Sequence, residues 1–182
     1  MKPQYRHQNG FTLPELLVTL TVVSTLTVGA ANGLTWLIQE SRMVGDINRF
    51  VTVLHLARNE AVKQTRRIVL CPSADGLHCG NSSEWNSGWL LFQSDDREHD
   101  TDERLIQRGS SLQAGIALHA SNHRRRIVFQ PDGSSGGSNS SFTFCDRREK
   151  AKPRVICLSN TGRPRLARTR CNRKPIDCST YI

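Results

Sequence analysis

One apolar stretch near the N-terminus sets the strongest limit on how this chain can fold. Residues 11–38 are largely apolar, and Glu15 is the only charged residue among them. The stretch is longer than the ~20 residues that a helix needs to cross a bilayer. The ten residues before it are polar and carry Lys2 and Arg6, which should stay on the cytoplasmic side. We therefore predict a membrane-spanning helix that sends the rest of the chain outward.

Gly10 suggests how this N-terminus is processed. A small residue lets a peptidase approach the backbone, and cleavage after Gly10 would make Phe11 the new N-terminus. The amino group of Phe11 would then lie one helical turn from Glu15, whose charge otherwise costs a few kcal/mol in an apolar helix. The alternative for Glu15 is that its side chain reaches the lipid headgroups without a partner. The alternative for cleavage is a site at residues 30–32, which would leave the apolar residues 36–38 exposed.

Residues 10–18, Gly-Phe-Thr-Leu-Pro-Glu-Leu-Leu-Val, resemble the prepilin cleavage motif of type IV pilins and type II secretion pseudopilins. In that family a membrane peptidase cuts after the glycine and methylates the new N-terminal phenylalanine, and the glutamate pairs with a neighbouring N-terminus during assembly. The resemblance implies a leader at residues 1–10, cleavage and methylation at Gly10 and Phe11, and an assembly role for Glu15. Pro14 departs from the motif but is tolerated in the first helical turn.

The helix is predicted to continue as an amphipathic stalk over residues 39–66. Apolar residues recur there at steps of three and four, which is the pattern of a helix with one buried face. The apolar positions are Met43, Ile47, Phe50, Leu54, Ala57 and Ala61. The charged residues expected on the other face are Arg42, Asp46, Arg49, Arg58, Glu60 and Lys63.

Residues 67–182 are predicted to form a globular, β-rich domain, because short β-like runs alternate there with turn residues. The predicted strands are residues 68–71, 89–93, 104–108, 116–120, 126–130, 141–145 and 154–159. The serine- and glycine-rich segment that begins Pro131-Asp132-Gly133 is predicted to be a flexible hairpin loop. The predicted fold class is α+β: a type IV pilin-like long helix packed on antiparallel sheet.

Six cysteines in a chain with an export-type N-terminus indicate disulfides. The spacings favour local pairs, although six cysteines allow fifteen connectivities. The favoured pairs are Cys71 with Cys79, Cys145 with Cys157, and Cys171 with Cys178. A zinc site that uses His78 and Cys79 is the alternative, but the spacings do not match paired Cys-x-x-Cys ligands.

The net charge of +9 is concentrated near the C-terminus. Residues 147–174 contain eleven basic residues and one acid, whereas an acidic run lies at residues 95–103. An extended backbone would separate Arg163 and Arg165 by about 6–7 Å, which is close to the spacing of adjacent phosphates. Aromatic side chains are scarce in this region, so contact with a duplex backbone fits better than stacking on a single strand. A solvated basic tail is the alternative.

The sequence Gly162-Arg163-Pro164-Arg165, after a predicted strand that ends Cys-Leu-Ser-Asn-Thr, resembles the Gly-Arg-x-Arg motif of FimT-type minor pilins in the GspH/FimT family. The Cys-Pro-Ser-Ala-Asp-Gly loop at Cys71 resembles the same group. In FimT-type proteins the motif binds extracellular DNA for uptake in natural transformation. The resemblance implies that Arg163 and Arg165 are the principal DNA contacts, with Gly162 in the turn. Further candidate DNA contacts, chosen for their charge and not for any resemblance, are Arg168, Arg170, Arg173 and Lys174.

Two functions follow from these patterns. In the first, the protein is a minor type IV pilin that binds double-stranded DNA and contacts other major and minor pilins. It would sit in the inner membrane with its globular domain in the periplasm, prepilin peptidase would remove its leader, and it would then assemble into an extracellular pilus. In the second, it is a structural minor pilin or secretion pseudopilin that primes assembly without binding DNA. We expect neither catalysis nor a cofactor, because the sequence carries no Ser-His-Asp, metal or phosphate-loop pattern.

Overall fold

The structure is a computed structural model that describes residues 10–94, 104–121 and 124–179, without the side chains of residues 28–32. One helix, α1, spans Leu13–Gln64 and is followed by eight strands among the described residues. Seven of them begin and end within one residue of the predicted bounds, and the last, β8, was not predicted. They are β1 (Ile68–Pro72), β2 (Trp89–Gln93), β3 (Arg104–Gly109), β4 (Ile116–Ala120), β5 (Ile127–Phe129), β6 (Ser140–Asp146), β7 (Arg154–Leu158) and β8 (Pro164–Ala167). The acidic run at residues 95–103 lies outside the described residues.

The chain divides into two compact units, Met1–Ile38 and Gln39–Ile182. In the first unit the described apolar side chains are exposed, and the hydroxyl groups bond to carbonyls three or four residues earlier in the helix. Among the described residues, no helix combines the length and the apolar character needed to cross a membrane. In the second unit the buried apolar residues run from Met43 to Leu158, so this unit contains its own hydrophobic core.

Two antiparallel sheets build the second unit. Sheet I has the strand order β3-β2-β1-β5, and sheet II has the order β4-β6-β7-β8. The predicted apolar stripe of α1 is buried and forms one cluster with residues from both sheets. Phe50 lies in this cluster, where its ring makes edge-to-face contacts with Trp85, Phe142 and Phe144 at centroid distances of 5.7, 4.8 and 6.1 Å. The predicted fold class is therefore confirmed.

Asp46 was expected on the solvent side of α1, and this prediction is wrong. Its side chain is buried, and its carboxylate accepts hydrogen bonds from the Gln113 amide at 2.8 Å and from Arg49 at 3.0 Å. Burial raises the pKa of the Asp46 carboxyl, and these two partners only partly oppose that effect. A charged residue can therefore occupy the buried face because the loop before β4 and Arg49 supply its hydrogen bonds.

The segment at Pro131-Asp132-Gly133 is not a flexible hairpin. Strand β5 pairs with β1, and β6 pairs with β4 and β7, so residues 130–139 cross from sheet I to sheet II. Ser135 is fully buried in this crossing: its hydroxyl donates to the Ser159 carbonyl at 2.7 Å, and its amide donates to the Asn160 carbonyl at 2.8 Å. The serine at position 135 of this segment thus satisfies buried backbone carbonyls, and the segment is not a mobile loop.

All six cysteines form disulfides, and the bond between Cys71 and Cys79 is the predicted one. This bond also occupies the sulfur that the zinc alternative required. The other two predicted pairs are wrong. The observed bonds join Cys145 to Cys178 and Cys157 to Cys171.

Strand register explains why Cys145 and Cys157 do not pair. Cys157 lies opposite Ser141, four positions before Cys145 on β6. Four residues of a strand span about 13 Å, whereas a disulfide needs Cα atoms within about 7 Å. Each of these two cysteines instead binds the C-terminal segment, residues 168–179, which we call the tail. The tail is consequently fastened to sheet II at two points.

Asp146 fixes the turn between β6 and β7 to the start of the second unit. Its carboxylate accepts hydrogen bonds from the amides of Arg148, Lys150 and Ala151 at 3.1, 2.9 and 2.8 Å, and from Gln39 Nε2 at 3.0 Å. Burial by itself would raise the pKa of Asp146, but these donors outweigh burial and hold the pKa below its usual value. The ionised carboxylate therefore stabilises the fold.

We predict that Asp146→Asn lowers the free energy of unfolding of the unit 39–182 by about 2–3 kcal/mol at pH 7, because it removes charge-assisted hydrogen bonds. A carboxyl with a lowered folded pKa contributes its full stability above the unfolded value of ~3.9 and loses it as pH falls through the folded pKa. The difference between variant and wild type should thus shrink below about pH 4. Urea unfolding with intact disulfides measures it. The exposed acid of the same turn supplies the control, Glu149→Gln, which should change stability by less than about 0.5 kcal/mol.

Candidate nucleic-acid interface

The candidate DNA-binding motif lies in a hairpin made by β7 and β8. The sequence pattern did not predict β8, because Pro164 and the neighbouring arginines do not resemble a strand. Proline is nevertheless acceptable as the first residue of an edge strand, where it need not donate a ladder hydrogen bond. Pro164 occupies that position opposite Leu158, and Arg165 lies opposite Cys157. The motif is therefore half turn and half edge strand.

Gly162 has a structural reason to be glycine. Its φ is +72°, and a Cβ built on it would lie 2.1 Å from the carbonyl oxygen of Gly133. The same oxygen accepts a hydrogen bond from Arg58 Nε at 3.1 Å, so the helix, the crossing segment and the hairpin turn meet here. A side chain at Gly162 would push the turn away from this contact.

Arg163 and Arg165, which we call the arginine pair, are both exposed. Within residues 10–94, 104–121 and 124–179, neither guanidinium has an ion-pair or hydrogen-bond partner. Both line a groove of about 450 Å³. The groove's polar lining consists of Ser121, Asn139, Ser140, Ser141, Ser159 and Thr161. The site thus combines two guanidinium groups, unpaired among the described residues, with neutral hydrogen-bonding groups.

Register places three of the residues that line the groove on the face of sheet II that points away from the core. Ser141, Cys157 and Arg165 are successive cross-strand partners and so share one face. The alternate residues Phe142 and Ile156 belong to the hydrophobic core. Cys171 is another lining residue, so the disulfide from Cys157 brings the tail to the wall of the groove.

The tail carries the remaining predicted contacts. Residues 170–174 form a tight turn in which the Arg170 amide donates to the Lys174 carbonyl at 2.9 Å and the Arg173 amide donates to the Arg170 carbonyl at 2.8 Å. Arg168, Arg173 and Lys174 are exposed, whereas Arg170 is half-buried. The pKa of Asp177 is lowered by hydrogen bonds from Ser179 and also by the charge of Arg170, which is therefore partly compensated.

The basic segment predicted from sequence is divided by the fold. Arg147, Arg148, Lys150 and Lys152 lie in the turn at the other end of β6 and β7, away from the arginine pair. Arg154 forms an ion pair with Glu40, which also accepts the Lys152 amide at 3.2 Å. Of this segment's basic residues within the described part of the chain, only Arg163 and Arg165 line the groove.

Sequence reasoning missed the hydroxyl and amide groups of the groove. Ser141 and Ser159 lie at the ends of predicted strands and the other groups lie in segments interpreted as loop, and only the pairing of β4, β6 and β7 aligns them. The Ser121 hydroxyl accepts a hydrogen bond from the Ser141 amide at 2.9 Å and lies 3.3 Å from the Ser140 hydroxyl. The sequence signal that could have found them is the recurrence of serine at or next to the ends of predicted strands, at Ser121, Ser140, Ser141 and Ser159.

The N-terminal candidates lie in the first unit. Gly10 and Phe11 are exposed and precede α1, and Glu15 is in its first turn. The Thr12 carbonyl accepts the amides of Glu15 and Leu16, both at 3.1 Å, and so opens the helix. Processing and assembly at these residues remain predictions.

A long N-terminal helix with an antiparallel, disulfide-linked globular unit defines a type IV pilin-like protein, the class that contains minor pilins and pseudopilins. A family model for the type II transport protein GspH matches residues 46–162, and one for the prokaryotic N-terminal methylation motif matches residues 5–31. The first match covers more than half of the chain. The protein belongs to the GspH family.

Two crystal structures of one minor pilin show the same fold at low sequence identity. The minor pilin FimU of Pseudomonas aeruginosa matches with 18% identity in two crystal forms, with TM-scores of 0.58 and 0.54. These matches cover 71% and 70% of this chain, and 90% and 91% of FimU. The minor pseudopilin EpsH of Vibrio cholerae matches with 12% identity and a TM-score of 0.46 over 66% of this chain and 91% of EpsH. None of the curated proteins matches this sequence.

We predict that Gly162→Ala destabilises the unit 39–182 by at least about 1–2 kcal/mol, because alanine disfavours positive φ and its Cβ would collide with the Gly133 carbonyl. The matched control is Gly136→Ala, where the nearest atom to a new Cβ is 4.0 Å away and no positive φ is required. Thermal unfolding of both variants measures the effect. Equal melting temperatures would show that the turn is not held against Gly133.

Proposed function

We propose that this protein is a minor type IV pilin that binds extracellular double-stranded DNA without sequence preference, for uptake in natural transformation. The observation that supports this proposal is the arginine pair: two exposed guanidinium groups at the rim of a hydroxyl-lined groove, with no acidic partner in the part of the chain that the structure describes. The Gly-Arg-x-Arg resemblance to FimT-type pilins assigns DNA binding to the same two residues. An arginine fork matches the oxygens of a phosphate group.

Binding would be electrostatic. Each guanidinium would bind a backbone phosphate and release condensed counterions, which gives affinity without base recognition. The serine, threonine and asparagine side chains of the groove can donate hydrogen bonds to phosphate and sugar oxygens, which are the usual targets of such side chains. Among the described residues that line the groove, none is aromatic, so they offer no support for stacking on unpaired bases.

Outside the groove, the exposed basic residues of the tail would enlarge the contact. They are Arg168, Arg173 and Lys174, with Arg170 contributing less because of Asp177. The disulfide between Cys157 and Cys171 would keep this turn beside the arginine pair, and so reduce the entropy lost when DNA binds. Affinity for a single subunit should remain weak and fall steeply with salt.

The proposal also assigns roles to the N-terminus. Residues 11–38 would anchor the subunit in the inner membrane, with the globular unit in the periplasm. Prepilin peptidase would cut after Gly10 and methylate Phe11, and Glu15 would pair with the N-terminus of a neighbouring pilin in the filament. DNA bound at the other unit would then be drawn toward the cell as the pilus retracts.

A structural subunit without a ligand is the second candidate. The family model's description as a type II transport protein favours it, because that description concerns secretion rather than DNA uptake. In this reading the protein would be a pseudopilin or minor pilin that primes assembly, and the basic groove would face an acidic neighbour in the filament. Measurement of DNA binding separates the two candidates.

We predict that the full chain in a non-ionic detergent binds a mixed-sequence duplex at low salt, and that Arg163→Gln with Arg165→Gln weakens binding at least about tenfold. The loss of two phosphate contacts should also reduce the slope of log K against log salt by about 2. Fluorescence anisotropy of a labelled duplex, titrated at several salt concentrations, measures both quantities.

The matched control is Arg147→Gln with Arg148→Gln, which removes the same charge at the opposite end of sheet II. It should change affinity much less than the arginine-pair variant. Equal losses from the two double variants would mean that net charge, not the groove, attracts DNA. A wild-type chain that does not bind would leave the structural subunit as the function.

A further inference from the structure

The groove belongs to a longer row of residues along one end of sheet II. Strand β4 ends, β6 begins, β7 ends and β8 begins at this end, because all three pairings are antiparallel. Ser121, Ser140, Ser141 and Ser159 stand there in strand order, and we call this row the serine edge. The arginine pair lies at its β8 side.

The other side of the serine edge continues past β4. Glu84 forms an antiparallel bridge with His119, and the Ala120 amide donates to the Ser83 carbonyl at 3.1 Å. The segment 81–84 is thus the next neighbour of β4, and Asn81 lies beyond the same end of the sheet. Four strand intervals separate this segment from β8, which amounts to about 19 Å at ~4.8 Å per interval.

Arg125 is held at that far side. Its Nη1 donates to Asn81 Oδ1 at 2.6 Å, and its side chain is exposed. Asn81 is neutral, so it positions the guanidinium without cancelling its charge. The neighbouring Arg124 is half-buried, and its carbonyl accepts Trp85 Nε1 at 3.2 Å, which fixes the backbone from which Arg125 projects.

We propose that Arg125 is a second DNA-contact residue, and that the duplex lies along the serine edge with its backbone touching the arginine pair at one side and Arg125 at the other. The separation of about 19 Å between the segment 81–84 and β8 corresponds to between five and six base pairs at ~3.4 Å per pair. Between them lie Ser159, which is exposed, and Ser141 and Ser121, which are half-buried, whereas Ser140 is buried. This inference rests on the proposed DNA binding and adds the direction and length of the contact.

The test compares single variants of the full chain in non-ionic detergent, with a mixed-sequence 20-base-pair duplex as the probe. Arg125→Gln should weaken binding about three- to tenfold at low salt and reduce the salt slope by about 1, as for one lost phosphate contact. Arg147→Gln is the control, because it removes the same charge from the opposite end of sheet II. It should leave the slope unchanged.

A further variant, Asn81→Ala, tests whether Arg125 acts from a fixed position. It removes no charge, so weaker binding with an unchanged net charge would support the geometry. Thermal unfolding of each variant checks that folding is intact. The variant Arg125→Lys keeps the charge, so it should retain most of the DNA affinity if Arg125→Gln acts through charge at this site.

The outcomes separate this inference from the proposed function. If the wild-type chain binds DNA and the arginine-pair variant does not, but Arg125→Gln matches wild type or equals Arg147→Gln, the serine-edge contact is wrong and DNA binding stands. If the wild-type chain does not bind, both fail. If affinity falls in the Arg125 and arginine-pair variants but not in the Arg147 variant, the result supports both the proposed function and the Arg125 contact.

Discussion

The second unit depends on the burial of one face of α1 against both sheets. Phe50 contacts aromatic rings that reach it from sheet II and from the loop before β2, and the residues on either side of it in the stripe are almost fully buried. Burial of this face removes a large apolar area from water, which is the dominant favourable contribution to folding. It also fixes where each strand can lie, because a strand shifted by one residue would turn its apolar side chains outward.

The arginine pair inherits its position from this packing through a short series of contacts. Register places β8 beside β7, Gly162 packs its turn against Gly133, and Arg58 ties that contact to α1. The tail is then fastened across the outer face by disulfides that start from β6 and β7. A flexible, solvated basic tail would lose much more entropy on binding a polyanion than residues held in this way.

Much of the fold was predictable because its signals are local. The helix, its buried stripe and seven strands follow from hydrophobic periodicity, and the pair Cys71–Cys79 follows from a short turn-rich loop. Three of the wrong predictions share one cause. The burial of Asp46, the crossing at Ser135 and the pairing of Cys145 with Cys178 each depend on a partner distant in sequence, which spacing along the chain does not reveal.

The sequence by itself determined the pilin-like class of the protein and the residue types available for binding: an N-terminal motif at Gly10–Phe11, one long helix, and a surplus of arginine near the C-terminus. Only the tertiary structure decided which of those charges lie close together. Arg154 is neutralised by Glu40, and Arg147 lies at the far end of the sheet from the arginine pair. Arg125, from a different segment, is held on the same edge as the groove. The reason is physical: charge is a property of single residues, whereas a binding surface is set by strand order and register, which hydrophobic burial fixes.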